Sequence, residues 1–196
     1  MLRFTRFFLL ALIVTALISL PAMAASSDAV IYSFTGGADG GNPAADLVFD
    51  SAGNAYGTTV SGGDFGYGTV FELTHSGSTW TETVLYSFAG GTDGKNPYGG
   101  VTLDASGNLY GVTVAGGSST CTGDGCGVVY KLTNSGGTFT QSVLYSFRGG
   151  TDGFGPGDGV IFDKAGNLYG MTPDGGSSGF SRNSSTRSSS PSATIP

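Results

Sequence analysis

Apolar and polar residues alternate with a period of two through much of the chain. Trp80, Glu82, Val84, Tyr86 and Phe88 fall on alternate positions, and Phe139, Gln141, Val143, Tyr145 and Phe147 repeat the series. Val70 and Glu72 alternate with Phe71 and Leu73 in the same way. Period-two alternation enriched in aromatic and β-branched residues predicts strands, each series sharing one face of its sheet. No stretch beyond residue 24 carries a helical period.

The strands recur as a unit. The tripeptide Tyr-Ser-Phe begins at Tyr32, Tyr86 and Tyr145, with spacings of 54 and 59 residues. The phrase Gly-Asn-x-Tyr-Gly begins at Gly53, Gly107 and Gly166, with the same two spacings. The five extra residues lie between Val114 and Thr133, a stretch of 20 residues where the preceding unit has 15 from Val60 to Thr74. One unit has therefore been copied and one loop lengthened.

Each unit reads as four strands, which in the first copy cover residues 47–50, 55–59, 69–74 and 80–88. The turn between the first two contains Asp50, Gly53 and Asn54, matched by Asp104, Gly107 and Asn108, then by Asp163, Gly166 and Asn167. An Asp accepts hydrogen bonds from turn amides, and Gly takes the positive φ that the turn needs. The alternative role for Asp50, Asp104 and Asp163 is cation binding, but the spacing lacks the D-x-D-x-D of an EF-hand loop. A second phrase, with Asp39, Asp93 and Asp152 each in Gly-Gly-x-Asp-Gly, reads as the crossover between consecutive sheets. No Lys follows its glycines at the spacing of a phosphate loop.

Tandem four-stranded units of about 50 residues have the pattern of propeller blades. The expected fold is all-β, a β-propeller-like array of four-stranded blades with about two and a half repeats, and incomplete. The third unit stops after Gly179, where a Ser-rich stretch from Phe180 to Pro196 replaces the third strand. Residues 30–34 match the fourth strand of a blade that lacks its first three, and in a ring such a strand can pair with the last blade. The two readings of the shortfall are self-assembly of short chains to close the propeller, or a piece of a longer array, which is the favoured one.

The ends bear on location. Arg3 and Arg6 precede an uncharged, mostly apolar run over residues 7–20, and Ala22 and Ala24 suit a small-residue cleavage site. This predicts a signal peptide over 1–24, tandem β repeats over 25–178 with units from about 32, 86 and 145, and a disordered tail over 179–196. Loss of Arg3 and Arg6 takes the formal charge from −6 to −8. So negative a chain is a poor ligand for nucleic acid, and it is not expected on a membrane after cleavage. Charged residues make up only 11% of the chain and Gly contributes 36 of 196 residues, which suits a secreted β protein with many tight turns.

The combined pattern of Leu-Tyr-Ser-Phe, Gly-Gly-x-Asp-Gly, Gly-Asn-Leu-Tyr-Gly and Gly-x-Val-(Phe/Tyr)-x-Leu resembles the GloVer extracellular tandem repeat. The resemblance covers roughly residues 29–176. It implies a secreted or surface-displayed bacterial repeat protein and supplies no catalytic residues.

Chemistry is sparse. Cys121 and Cys126, the only cysteines, flank a short loop in the lengthened segment and are expected to form a local disulfide. The single histidine, His75, stands in a turn where the second unit has Asn134, so a turn role is favoured over catalysis. No catalytic, cofactor or metal site is assigned, and no cofactor is expected. The expected function is a secreted, non-catalytic binding or scaffold module for an extracellular glycan or protein, with exposed aromatics such as Tyr67 and Tyr98. The alternative is a polysaccharide-active hydrolase or lyase, which would use acids found in one unit only, such as Asp64, Asp124 and Asp158.

Overall fold

The computed structural model describes residues 28–117, 121, 123–176 and 194–195. The expected leader lies outside them, as does most of the expected tail.

Three antiparallel sheets follow one another along the chain, one per unit. In the first, β1 (Gly41–Pro43) and β2 (Val48–Phe49) both pair with β3 (Ala55–Ser61), which pairs with β4 (Thr69–Ser76), then β5 (Thr79–Ser87). The second runs β6 (Thr102–Leu103), β7 (Leu109–Thr113), β8 (Val128–Ser135) and β9 (Thr138–Ser146). The third joins β10 (Val160–Phe162), β11 (Leu168–Gly170) and β12 (Thr194–Ile195). None of the described sheets closes on itself. The four strands read in each full unit are all present, with ends shifted by a residue or two. Thr194–Ile195 lie in the stretch read as a tail. They take the ladder places opposite Leu168 and Tyr169 that Leu132 and Lys131 take opposite Leu109 and Tyr110.

Gly is required at the centre of the second strand. A Cβ on Gly57 would lie 2.6 Å from Cζ of Phe71, and one on Gly111 would lie 2.4 Å from Oη of Tyr130. The large ring of the third strand thus lies directly over the glycine of the second.

The faces differ from the period-two reading at one point, and the difference organises the whole molecule. Val84 pairs with Phe71 but Tyr86 pairs with Val70, leaving Leu85 as an extra residue. The same shift recurs where Val143 pairs with Tyr130 and Tyr145 with Val129. A β-bulge inserts one residue and reverses the alternation beyond it. Trp80, Glu82 and Val84 therefore share the face of Phe71 and Leu73, whereas Tyr86 joins the face of Val70. The five residues expected on one face are split between two, and so are their counterparts Phe139 to Phe147.

This split builds the core between sheets. Tyr56, Val70 and Phe88 from the first sheet pack with Val101, Leu109, Tyr130 and Leu132 from the second. Tyr110, Val112, Val129 and Phe147 from the second sheet pack with Val160 and Leu168 from the third. Each sheet thus buries its leading face against the trailing face of the sheet before it. Hydrogen bonds join them too: Thr58 Oγ1 donates to the Gly99 carbonyl, and Thr102 Oγ1 to that of Val160.

The matching segment before the first sheet behaves in part as expected. Residues 30–34 form no ladder among the described residues, so the pairing expected of them is not seen. Their rings still occupy the fourth-strand position. Phe34 packs edge-on against Phe71 with centroids 4.8 Å apart, as Phe88 does against Tyr130 at 5.0 Å. A fourth strand needs a third strand to bond to, and none precedes residue 30 among the described residues.

Candidate functional site

The repeated acids belong to the frame. Asp104 accepts hydrogen bonds from the backbone amides of Ser106 and Asn108 on Oδ1, at 2.8 and 2.9 Å. Its Oδ2 accepts from Asn108 Nδ2 at 2.8 Å and from the Tyr110 hydroxyl at 3.1 Å. Asp50 makes the same four contacts with Ala52, Asn54 and Tyr56, and Asp163 makes them with Ala165, Asn167 and Tyr169. Partial burial opposes the Asp104 charge, but the bonds from Asn108, Ser106 and Tyr110 outweigh it and hold the carboxyl below its ordinary range. Four donors occupy the four lone-pair directions of a carboxylate, which leaves little for a cation to bind.

The crossover acids close a second clamp. The Tyr86 hydroxyl donates to Asp93 at 2.6 Å, and the amide of Ala89 donates to the same carboxylate at 2.7 Å. Tyr145 and Arg148 do this with Asp152, and Tyr32 and Thr35 with Asp39. Burial, then the bond to Asp93, raises the Tyr86 phenol. Each fourth strand is thereby tied to the crossover that leaves it.

With the frame fixed in this way, the variable residues converge. A cavity of about 430 Å³ is lined by residues 44–48, 98–102 and 157–160, the segments leading into β2, β6 and β10. All three units contribute. At matched places stand Ala44, Tyr98 and Gly157, then Ala45, Gly99 and Asp158, then Asp46, Gly100 and Gly159. The copies agree on the strands and differ here. The cavity receives two carboxylates, Asp46 and Asp158, from different units, and Tyr98 is exposed beside them. Two of these residues, Tyr98 and Asp158, had been singled out from sequence. Asp46 had not, although it too is an acid found in one unit only, with Gly100 and Gly159 at the matched positions.

The other residues singled out fall elsewhere. Asp64 lines a groove of about 520 Å³ with Asp39, Phe65, Glu82 and Tyr86. Burial, and then the charge of Asp39, raises the Glu82 carboxyl above its usual range. Its Oε1 is shielded from solvent with no hydrogen-bond partner among the described residues. Asp124 pairs at 2.5 Å with Lys95, whose ammonium also stands 5.6 Å from the centre of the Tyr67 ring. The acids Asp64, Asp124 and Asp158 are thus in three separate settings rather than one constellation. His75 leans over the Gly53 turn and against Trp80, with ring centroids 5.0 Å apart. Asn134 covers Gly107 in the same manner, as a turn role requires.

Cys121 and Cys126 form a disulfide with Cα atoms 5.3 Å apart. Cys126 occupies the place of Tyr67 in the preceding unit. The Tyr67 ring lies against Gly90, and the Cys121 sulfur lies against the matching Gly149. Among the described residues no group of His, Cys, Asp and Glu has the arrangement of a metal centre, and no helix is long and apolar enough to cross a membrane.

A family model described as the Gloeobacter/Verrucomicrobia repeat matches residues 20–185. Comparison with curated proteins and with solved structures finds no match.

Proposed function

We propose that this chain, which belongs to the Gloeobacter/Verrucomicrobia repeat family, acts outside the cell as a non-catalytic binding module. Its sheets are read as successive propeller-type blades with β2, β6 and β10 innermost, and the cavity at their entrance is the ligand site. The observation that carries this reading is the convergence of unlike residues from like units on one cavity. A constant frame with variable loops is the arrangement expected of a binding scaffold. The oxidised Cys121–Cys126 pair suits an extracellular setting.

The lining favours a neutral or cationic polyhydroxyl ligand. Carboxylates at Asp46 and Asp158 accept hydrogen bonds from hydroxyl groups. Tyr98 presents an apolar ring with a polar tip, suited to the carbon face of a sugar. A glycan is therefore the preferred ligand class. The test is calorimetric titration against a panel of neutral oligosaccharides, with Tyr98→Ala and Asp158→Asn alongside the parent. Binding that weakens at least tenfold in both variants supports the site. Binding that survives both, or a panel with no binder, removes it.

One observation favours a second reading. Glu82, raised in pKa, and Asp39, lowered by bonds from Thr35, share the groove with Asp64. Carboxyls driven in opposite directions are what acid–base catalysis uses. Under this reading Glu82→Gln abolishes cleavage of a polysaccharide that the parent degrades. A parent with no such activity dismisses it.

A further inference from the structure

The two junctions inside the chain show what each sheet face requires. The face that meets the following sheet carries Val48 and Tyr56 in the first unit, and Thr102, Tyr110 and Val112 in the second. There Tyr56 is 7% exposed, Tyr110 9% and Val112 1%, because the next sheet covers them. The same positions in the third unit are Ile161, Tyr169 and Met171, which are 68%, 39% and 47% exposed. No described residue covers them.

The first sheet shows the complementary deficit. In the second unit the opposite face, with Leu103, Leu109, Tyr130 and Leu132, is covered both by the fourth-strand aromatics and by Val48 and Tyr56 of the sheet before it. In the first unit that face has Tyr32 and Phe34 in the fourth-strand position but, among the described residues, nothing in place of Val48 and Tyr56. Phe49, which matches the partly buried Leu103, is 57% exposed.

From this we infer that the open face at Ile161, Tyr169 and Met171 docks onto the open face at Phe49 of a second copy of this chain, repeating the junction that the chain already makes twice within itself. The occupant is identified by that internal precedent: each junction joins the same two kinds of face, and among the described residues one of each is left uncovered. The contact is heterologous, between two different surfaces, and such contacts generate rings when the rotation closes. Two copies would bring six sheets together, within the four to eight blades that closed propellers contain. The residues 30–34 of one copy would then lie beside the third sheet of the other, at β12, as residues 86–88 lie beside β4. The inference does not depend on what fills the cavity, since mass is measured without ligand.

The test uses the chain expressed with its own N-terminal segment, in whatever processed form the host yields, weighed in solution by light scattering. Ile161→Asp and Phe49→Asp each place a charge on one of the two faces, at positions exposed enough to leave the fold intact, which circular dichroism checks. Burying that unpaired charge weakens association ~100-fold or more. The parent is expected to run at twice the single-chain mass or higher, and each variant alone at the single-chain mass. An equimolar mixture of the two variants retains one intact face of each kind and is expected to recover a dimer. A folded parent that stays a single chain at every concentration overturns the inference. So does a parent dimer that either variant leaves intact, or a mixture that stays monomeric, because a self-matching interface cannot be complemented. If both variants lose their β signal, the exposed ring Tyr169 is replaced by Ser and the parent's own mass decides.

Discussion

Replacing Asp104 by Ala removes an acceptor that holds four donors at once. Hydrogen bonds to a charged group contribute roughly 1.5–3 kcal/mol each. That sum is an upper limit here, because the turn is only partly buried and water replaces some of what is lost. The Asn108 amide and the Tyr110 hydroxyl are the donors least able to reach water, since both residues are buried. We therefore expect a loss of about 2–4 kcal/mol, a large share of the 5–15 kcal/mol that holds a typical domain together. With a urea slope of about 2 kcal/mol/M, the midpoint falls by roughly 1–2 M. Asp163→Ala in the exposed third unit is expected to cost clearly less. The difference between parent and Asp104→Ala also has a pH signature. The folded carboxyl titrates below its unfolded value, so its contribution is fully present above the unfolded value of about 3.9 and is lost as pH falls through the lower folded value. The two proteins should converge in stability in strong acid. Calcium or a chelator should leave the parent's midpoint unmoved, because the carboxylate is already filled. A midpoint shift under 0.5 M, a shift no larger than that of Asp163→Ala, or a rise with calcium would each refute the reasoning.

Two further outcomes follow from buried polar atoms. Tyr130 is fully buried and its hydroxyl has no partner among the described residues, while Phe71 fills the matching place in the first sheet. Tyr130→Phe should stabilise the fold by about 1 kcal/mol, and a loss of that size in thermal unfolding would reveal a hidden partner. Glu82 has a folded pKa above its unfolded one, so its stabilising contribution is present below the unfolded value and is lost as pH rises through the folded one. Glu82→Gln should then match the parent near pH 4 and exceed it at pH 7, because Gln141 at the same place donates to the Asp93 carbonyl without carrying charge. Equal stability across that range would show that Glu82 is solvated.

The repeat made much of this fold readable. Three copies align with one another, so a strand seen in one confirms a strand in the next, and the five-residue insertion could be placed without any relative. The disulfide was readable for a local reason, two cysteines around a short loop. What escaped was three-dimensional. The alternation at Trp80 to Phe88 looked continuous because a bulge adds a residue without changing its type, and Leu85 resembles any strand Leu. That one residue decides which aromatic faces which sheet. The cavity at Asp46, Tyr98 and Asp158 escaped because segments 54 and 59 residues apart meet only once the sheets are stacked. Asp46 itself was within reach: neither matched position carries an acid, the same mark that singled out Asp158. The role of residues 30–34 was half legible, since their aromatic spacing predicts where the rings pack but not that a strand with no ladder partner stays unpaired.

The slot in front of Gly90 and Gly149 is filled by two different materials, a tyrosine ring at one junction and a pair of bonded sulfurs at the other. The first filler is indifferent to redox state. The second exists only where thiols are oxidised, so the join between the second and third sheets is complete only while the Cys121–Cys126 bond is formed. The molecule thus carries one joint closed by packing alone and one closed by a covalent bond, and reductant in the surroundings loosens only the latter.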